Sequence, residues 1–379
     1  MSLETEVVVT GIGLISALGN LSQSWESLLE GKSAIKIQQP FLDLEAFPLA
    51  NIDNIPTNLT ELTRKIVKDA LQDAQLTPPL PESGIVIGSS RGFQYILEDL
   101  ITQRRTDVPP NNRFLESLPH QCALIASQIV GSQKMVFAPM AACATGIVAI
   151  ARGFELIKMG ECDRVLVGAV ESPITPLTLA AFKNIGALAK TGCYPFDQRR
   201  EGLVLGEGGA VFVLETAELA QKRGAKIYGE ILGFGLTSDG DQITAPSLSG
   251  KGAKKAIINC LKYSNLSVND INLIHTHGTS TLLNDRMEAD LIQSLFSPSV
   301  FITSTKGATG HTLGASGALG FAFTLKTLNT QILPPCVGLQ NPDFTLNFVN
   351  QAEFQKVNNA LCLSFGFGGI NGVISVNSK

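Results

Sequence analysis

Two spacings of apolar residues alternate along this chain. Short runs with little polar interruption recur at Val7–Ile15, Gly84–Ser90, Val165–Glu171, Gly209–Glu215, Lys226–Gly235, Ile271–Gly278, Val300–Gly307 and Ala360–Gly369. A strand with one wet face alternates apolar and polar positions; these do not, so they predict strands covered on both faces. Helix-period segments lie between them, at Ser22–Gly31, Leu59–Gln75, Gly146–Gly160, Thr216–Gly224, Lys251–Ser264, Asp285–Phe296 and Gly314–Asn329. Strand and helix in alternation predict an α/β fold with helices packed over buried sheets. The halves are loosely alike: each opens on a glycine-ended strand and later has a small-residue turn leading into an apolar helix, ACATGIVAIA in one and KGATGHTLGASGA in the other. That suggests a duplicated unit, 1–224 and 225–379, joined near Lys222–Tyr228.

Composition narrows the function classes. With 379 residues, 44% hydrophobic and 16% charged, the chain has material for a large core. Its net charge of −4 comes with scattered lysines and arginines, which argues against nucleic acid or anionic lipid as a partner. No apolar run approaches the ~20 residues that span a bilayer. The seven cysteines are odd in number, without CxxC spacing, and follow no secretory signal, so free thiols in a reduced cytoplasmic setting are expected. A plastid location would require a transit segment no longer present.

Candidate chemistry starts at PMAACATGIVAIAR. Val136–Ala138 reads as extended, Ala141 and Ala142 permit a tight turn, and a helix follows from Gly146. Cys143 therefore falls near a helix N-terminus, where free N–H groups and the macrodipole favour a thiolate. A buried free cysteine is more often inert packing, so a nucleophile needs helpers. Of the four histidines, His277 ends a strand and His311 lies at a strand-to-helix turn, places where α/β folds gather reactive groups. His275 shares a strand face with His277 and reads as a core residue, and His120 as structural or surface. The run SFGFGGIN, Ser364–Asn371, joins a glycine-rich backbone to bulky rings; such a loop brings an N–H to an oxyanion or guards a pocket with Phe367. Cys and His lack metal-ligand spacing, and no metal is expected.

Taken in order, VVVTGIGLISALGN, ACATG, YPFDQRREGLVLGEGGAVFVLE, GFGLTSDGDQITAP, HGTSTLLNDRMEAD, STKGATGHTLGASGA, ILPPCVGLQNPD and SFGFGGIN resemble the elongating β-ketoacyl-[acyl carrier protein] synthases, thiolase-fold condensing enzymes, nearly end to end. The resemblance implies a five-layered αβαβα fold of two βαβαβαββ halves, a homodimer or heterodimer, and acyl carrier protein as partner. No cofactor is implied, the substrates being carried on phosphopantetheine. Cys143 matches the acyl-accepting nucleophile, and His277 and His311 the pair that promotes malonyl decarboxylation. Lys306 matches the supporting cation, Glu288 its acidic partner, Phe367 the gate and oxyanion donor, and Thr279 and Thr281 the pantetheine-binding hydroxyls. Asp239 belongs to a loop near the same entrance.

Departures from the family pattern are informative. The segment Leu59–Gln75 is short and its usual lead-in is missing. Ile370 replaces a threonine and Leu282 a proline. In GSSRGF, Arg91 stands where an apolar residue lining the acyl tunnel is usual. Three readings follow: the side chain points into solvent, closes the tunnel to short chains, or meets a polar acyl group, with Glu116 and Asp99 as nearby candidates to pair with it. The alternatives to fatty-acid elongation are a specialised polyketide ketosynthase, a non-catalytic chain-length-factor-like partner, which typically lacks the cysteine, and a thiolase, which would use a second cysteine.

Overall fold

The computed structural model describes residues 5–53, 55–104, 112–241 and 247–379. Gln242–Pro246, the end of the GFGLTSDGDQITAP motif, lies outside them. Among the described residues twelve strands form the central sheet system; besides the two-residue pieces Gly19–Asn20 and Asn347–Phe348 at its margins they are β1 (Val7–Ser16), β2 (Ser83–Gly88), β3 (Val136–Phe137), β4 (Arg164–Glu171), β5 (Gly208–Thr216), β6 (Gly229–Ser238), β7 (Leu273–His275), β8 (Phe301–Thr303), β9 (Asn359–Gly366) and β10 (Ile370–Asn377). The longer helices are α1 (Leu21–Leu29), α2 (Leu59–Asp73), α3 (Gln94–Arg104), α4 (Gln121–Val130), α5 (Thr145–Lys158), α6 (Pro176–Asn184), α7 (Lys251–Tyr263), α8 (Leu282–Leu295) and α9 (Ser316–Thr330).

The strand order is β3-β2-β4-β5-β1 in the first half and β8-β7-β9-β10-β6 in the second, each number shifted by five. Directions repeat as well. The pairs β2–β3 and β2–β4 are parallel and β4–β5 and β5–β1 antiparallel, as are β7–β8, β7–β9, β9–β10 and β10–β6 in turn. The duplication suggested by two short sequence matches is thus a repeat of βαβαβαββ topology. The two sheets meet where β1 pairs with β6 over Val7–Val9.

Five layers follow from where the apolar faces go. Helices α5 and α9 lie between the sheets, sharing one core in which Ile147, Ile150 and Phe154 meet Ala318, Phe321 and Ala322. Their crossing is tight: a Cβ on Gly146 would come 2.7 Å from the Ala318 nitrogen. Helices α2 and α4 cover the outer face of the first sheet, and α7 and α8 that of the second. Each fully buried Leu, Ile or Phe in these layers contributes roughly 1.5–3 kcal/mol of transfer free energy. The shortened segment Leu59–Gln75 forms α2 and is well buried: Gly11 and Gly13 let β1 approach it so closely that a Cβ on Gly13 would sit 2.0 Å from the Ile66 carbonyl.

The structure corrects several boundaries. Helices α3, α4 and α6 and strand β10 were not expected. INGVISVN was hidden behind the glycine run, which is the β9–β10 turn, with Gly368 and Gly369 at φ +84° and +76°. The run predicted as a strand at Ile271–Gly278 is paired only over Leu273–His275. Beyond it the backbone leaves the sheet, which frees His277 to face a cavity.

Candidate active site

Cys143 lies two residues before α5, after Ala142, whose φ of +46° is in the left-handed region that side chains other than glycine rarely occupy. Ala142 turns the chain sharply out of β3; a Cβ on Gly366 would meet its methyl at 3.2 Å, so a larger residue at 142 would crowd the glycine loop. Ser364 Oγ donates to the Cys143 carbonyl at 2.8 Å, tying the turn at Cys143 to β9. The small residues of ACATG are thus required by close packing across the pseudo-repeat.

His277 and His311 arrive from the other half. His277 follows β7, and His311 follows the short helix Lys306–Thr309 after β8. Their rings are 5.4 Å apart and nearly perpendicular, and Cys143 Sγ and one nitrogen from each ring lie within 4.8 Å of one another. That spacing would also admit a metal ion, which the absence of a ligand motif in the sequence did not anticipate. All three open on a cavity of about 250 Å³.

The outer nitrogens of both rings are engaged. Ser316 Oγ is 2.7 Å from His311 Nδ1, and Lys306 Nζ is 3.5 Å from His277 Nδ1 and donates to the His277 carbonyl. An ammonium offers only donors, so it makes His277 Nδ1 an acceptor and leaves the proton on Nε2; the Ser316 hydroxyl can donate to His311 Nδ1 and set the same tautomer there. Burial, then the Lys306 charge, holds both histidines well below their usual 6.5, so both are neutral near pH 7. Two neutral imidazoles that present N–H groups to one cavity suit an oxygen developing negative charge.

Lys306 and Glu288 are fully buried supports. The Glu288 carboxylate accepts the N–H groups of His277 at 2.6 Å and Gly278 at 2.8 Å, which fixes the backbone at His277. Burial pushes its pKa up to about 7 against those hydrogen bonds. Burial pulls Lys306 down, and the Glu288 charge pushes it back.

One expectation about Cys143 is overturned. The helix N-terminus was taken to favour a thiolate, yet burial raises the thiol to about 11, with the Lys306 charge and a hydrogen bond from the Phe367 N–H only partly offsetting it. Desolvation outweighs the helix end because the sulfur sits in an apolar cluster with Phe182, Leu313 and Phe367. Burial therefore favours the neutral thiol of Cys143 over the thiolate.

The remaining predicted residues gather here too. Thr279 and Thr281 hydroxyls lie 2.9 Å apart on the cavity wall. Asp239 also lines it, and Asn371 Nδ2 donates to its carboxylate at 2.8 Å, a contact made by the neighbour of the departing Ile370. Leu282 opens α8, is exposed and lines the same cavity. His275 sits apart from the cavity: its Nε2 meets Thr305 Oγ1 at 3.1 Å, but its Nδ1 has no partner among the described residues, which leaves the core histidine half satisfied there. His120 is exposed at the start of α4.

Sequence reasoning missed Phe182, whose ring stacks on Phe367 at 6.0 Å, Ser316, and Glu171 at the end of β4. Glu171 accepts from Ser89 Oγ, Ser90 N and Oγ, Arg91 N and Gly314 N. A charge closing the apolar run VLVGAVE was the available signal. Arg91 does not reach Asp99, whose carboxylate takes Gln103 Nε2; its guanidinium lies over Phe182.

Models of the beta-ketoacyl synthase N-terminal and C-terminal domains match residues 57–220 and 228–340. The chain belongs to the beta-ketoacyl synthase family. It is 33% identical to a Schizosaccharomyces pombe protein assigned as a mitochondrial 3-oxoacyl-[acyl-carrier-protein] synthase, covering 96% of this chain and 97% of that one. It is 32% identical to 3-oxoacyl-[acyl-carrier-protein] synthase 2 of Staphylococcus aureus, covering 99% and 98%. A type II polyketide ketosynthase, solved with its acyl carrier protein and bound to a hexaketide, superposes with a TM-score of 0.93 at 26% identity, over 99% of this chain and 100% of that one. Among the described residues no helix is long and apolar enough to cross a membrane.

Proposed function

We propose that the protein is a β-ketoacyl-[acyl carrier protein] synthase, an acyltransferase that joins a Cys143-bound acyl group to malonyl carrier protein with loss of CO2, in fatty-acid or related chain elongation. The observation that carries this reading is the convergence of one thiol and two neutral imidazoles on a single cavity. In the first half-reaction the Cys143 sulfur attacks the acyl thioester and its proton passes to the departing pantetheine sulfur, with a neighbouring neutral imidazole as relay. In the second, malonyl thioester loses CO2 and leaves an enolate whose oxygen takes the Nε2 protons of His277 and His311 as hydrogen bonds. The enolate carbon then attacks the acyl carbonyl, and the N–H groups of Cys143 and Phe367 hold the oxyanion until Cys143 leaves as thiolate and is reprotonated.

The Lys306 charge helps to keep the histidines neutral, and Glu288 holds the His277 backbone in place. Thr279 and Thr281 bind the pantetheine arm, Asp239 shapes its entrance, and the Phe367–Phe182 stack moves aside for the acyl chain. The partner is an acyl carrier protein, and the enzyme works in the cytoplasm without a cofactor. A homodimer joined along β3 is supported by that strand's position at the end of the sheet order and by the exposed Phe137 and Met140 beside it. The test is CO2 release and product mass with malonyl carrier protein and an acyl series, for wild type and Cys143→Ala. Product from the variant would refute the assignment of the nucleophile.

A further inference from the structure

Behind the Phe182 ring lies a feature that condensation as such does not use. The loop after β2 is fixed by Glu171, a fully buried carboxylate that accepts from Ser89 Oγ and Ser90 Oγ at 2.6 Å each, Ser90 N at 2.8 Å, Arg91 N at 3.1 Å and, from the loop after His311, Gly314 N at 3.1 Å. With its backbone pinned, Arg91 has limited freedom to withdraw. Its guanidinium carbon is 5.6 Å from the centroid of the Phe182 ring, and Phe182 both lines the reaction cavity and stacks on Phe367. The positive charge is near enough to lower the pKa of the Cys143 thiol.

Among the described residues no carboxylate forms an ion pair with Arg91, although it is half-buried against an apolar cluster that holds Cys143, Phe182, Leu179 and Leu313. A guanidinium there gains cation–π energy from one ring face but keeps donors to spare, and its fork geometry suits an oxygen acceptor. A methyl-ended chain growing from Cys143 past Phe182 would instead desolvate the cation with nothing in exchange.

Resting on the condensing reading of Cys143, we propose that Arg91 is the residue that selects the acyl group: it binds an oxygen acceptor at the chain's distal end, a carboxylate or a ketone, and disfavours plain alkyl chains that reach it. The chemistry of the transfer is unchanged: the thioester to Cys143 forms as the bond to the donor sulfur breaks, and Arg91 touches only the far end.

The experiment follows transfer of hexanoyl, hexanedioyl and 5-oxohexanoyl groups from their N-acetylcysteamine thioesters onto Cys143 by intact mass, with wild type, Arg91→Leu and Arg91→Lys. Wild type should load one or both oxygen-ended probes at least tenfold faster than hexanoyl; preference for hexanedioyl identifies a carboxylate, and for 5-oxohexanoyl a ketone. Arg91→Leu should reverse the order while loading hexanoyl well, which also reports an intact fold, and Arg91→Lys should keep a reduced preference for the carboxylate. Equal loading of the three probes by wild type, or an unchanged ratio in Arg91→Leu, would overturn the proposal while leaving Cys143 as nucleophile. If no probe loads Cys143, the condensing reading fails and this inference falls with it.

Discussion

The raised pKa of Cys143 makes a quantitative prediction about how the thiol reacts with an alkylating agent across pH. Burial lifts it from 9.0 to about 11 despite Lys306 and the Phe367 N–H. Two pKa units correspond to about 2.7 kcal/mol against the thiolate. At pH 7.5 an ordinary cysteine of pKa 9 is ionised in about one molecule in 30, whereas Cys143 would be ionised in about one in 3,000. Both histidines are held well below 6.5, so neither becomes an imidazolium partner for the sulfur in the neutral range. Iodoacetamide labelling of Cys143, read by peptide mass in the native protein, should therefore rise tenfold per pH unit from about pH 6 to 10, without a shoulder between 5 and 8. The slope is the readout, because restricted access lowers every point by the same factor. Replacing Lys306 by Met removes the largest of the effects that lower the thiol's pKa, so the rate at a given pH should drop further. A plateau below pH 8 would refute the reasoning, since it would require a thiolate stabilised by an imidazolium at rest.

Further outcomes follow from the same geometry. Glu288 is raised from 4.5 to about 7 in the fold, so its contribution to stability is fully present below about pH 4.5 and is lost as pH rises through about 7; relative to Glu288→Gln, which stays uncharged, wild type should lose about 3 kcal/mol over that range in urea unfolding, and a flat difference would contradict it. Gly307→Ala, next to Lys306, would put a Cβ 1.8 Å from the Val337 carbonyl, and should cost roughly 1–3 kcal/mol or more in thermal unfolding and depress condensation by displacing the lysine. Zinc ions should inhibit by bridging Cys143, His277 and His311, whose donor atoms lie within 4.8 Å, with activity restored by a chelator and zinc affinity weakened in Cys143→Ala; insensitivity to zinc would argue that the three donors do not converge in solution.

Much of the site could be read in the sequence because its chemistry is local in kind. A thiol among tiny residues, two histidines each ending a strand-like run, and a glycine-rich loop with two rings are patterns of a few residues, and each has a direct structural cause: Ala142 at φ +46°, the exit of the chain from β7, and the turn between β9 and β10. What escaped depends on distance along the chain. Ser316 sits on His311, Glu171 ties Ser89 to Gly314 across 225 positions of sequence, and Phe182 stacks on Phe367; no spacing rule joins such residues before the layers pack.

The amino-acid pattern determined the α/β alternation, the doubly covered strands and the identity of the reactive groups, because periodicity and residue type are properties of neighbours in the chain. The tertiary structure decided what those groups are at rest. Five layers take the thiol, both imidazoles, Lys306 and Glu288 out of water together, and desolvation then outweighs the helix end that should have ionised Cys143. It also decided where Arg91 goes: over the Phe182 ring, a placement that joins the loop after β2 to α6 and that only the packing of the two could fix.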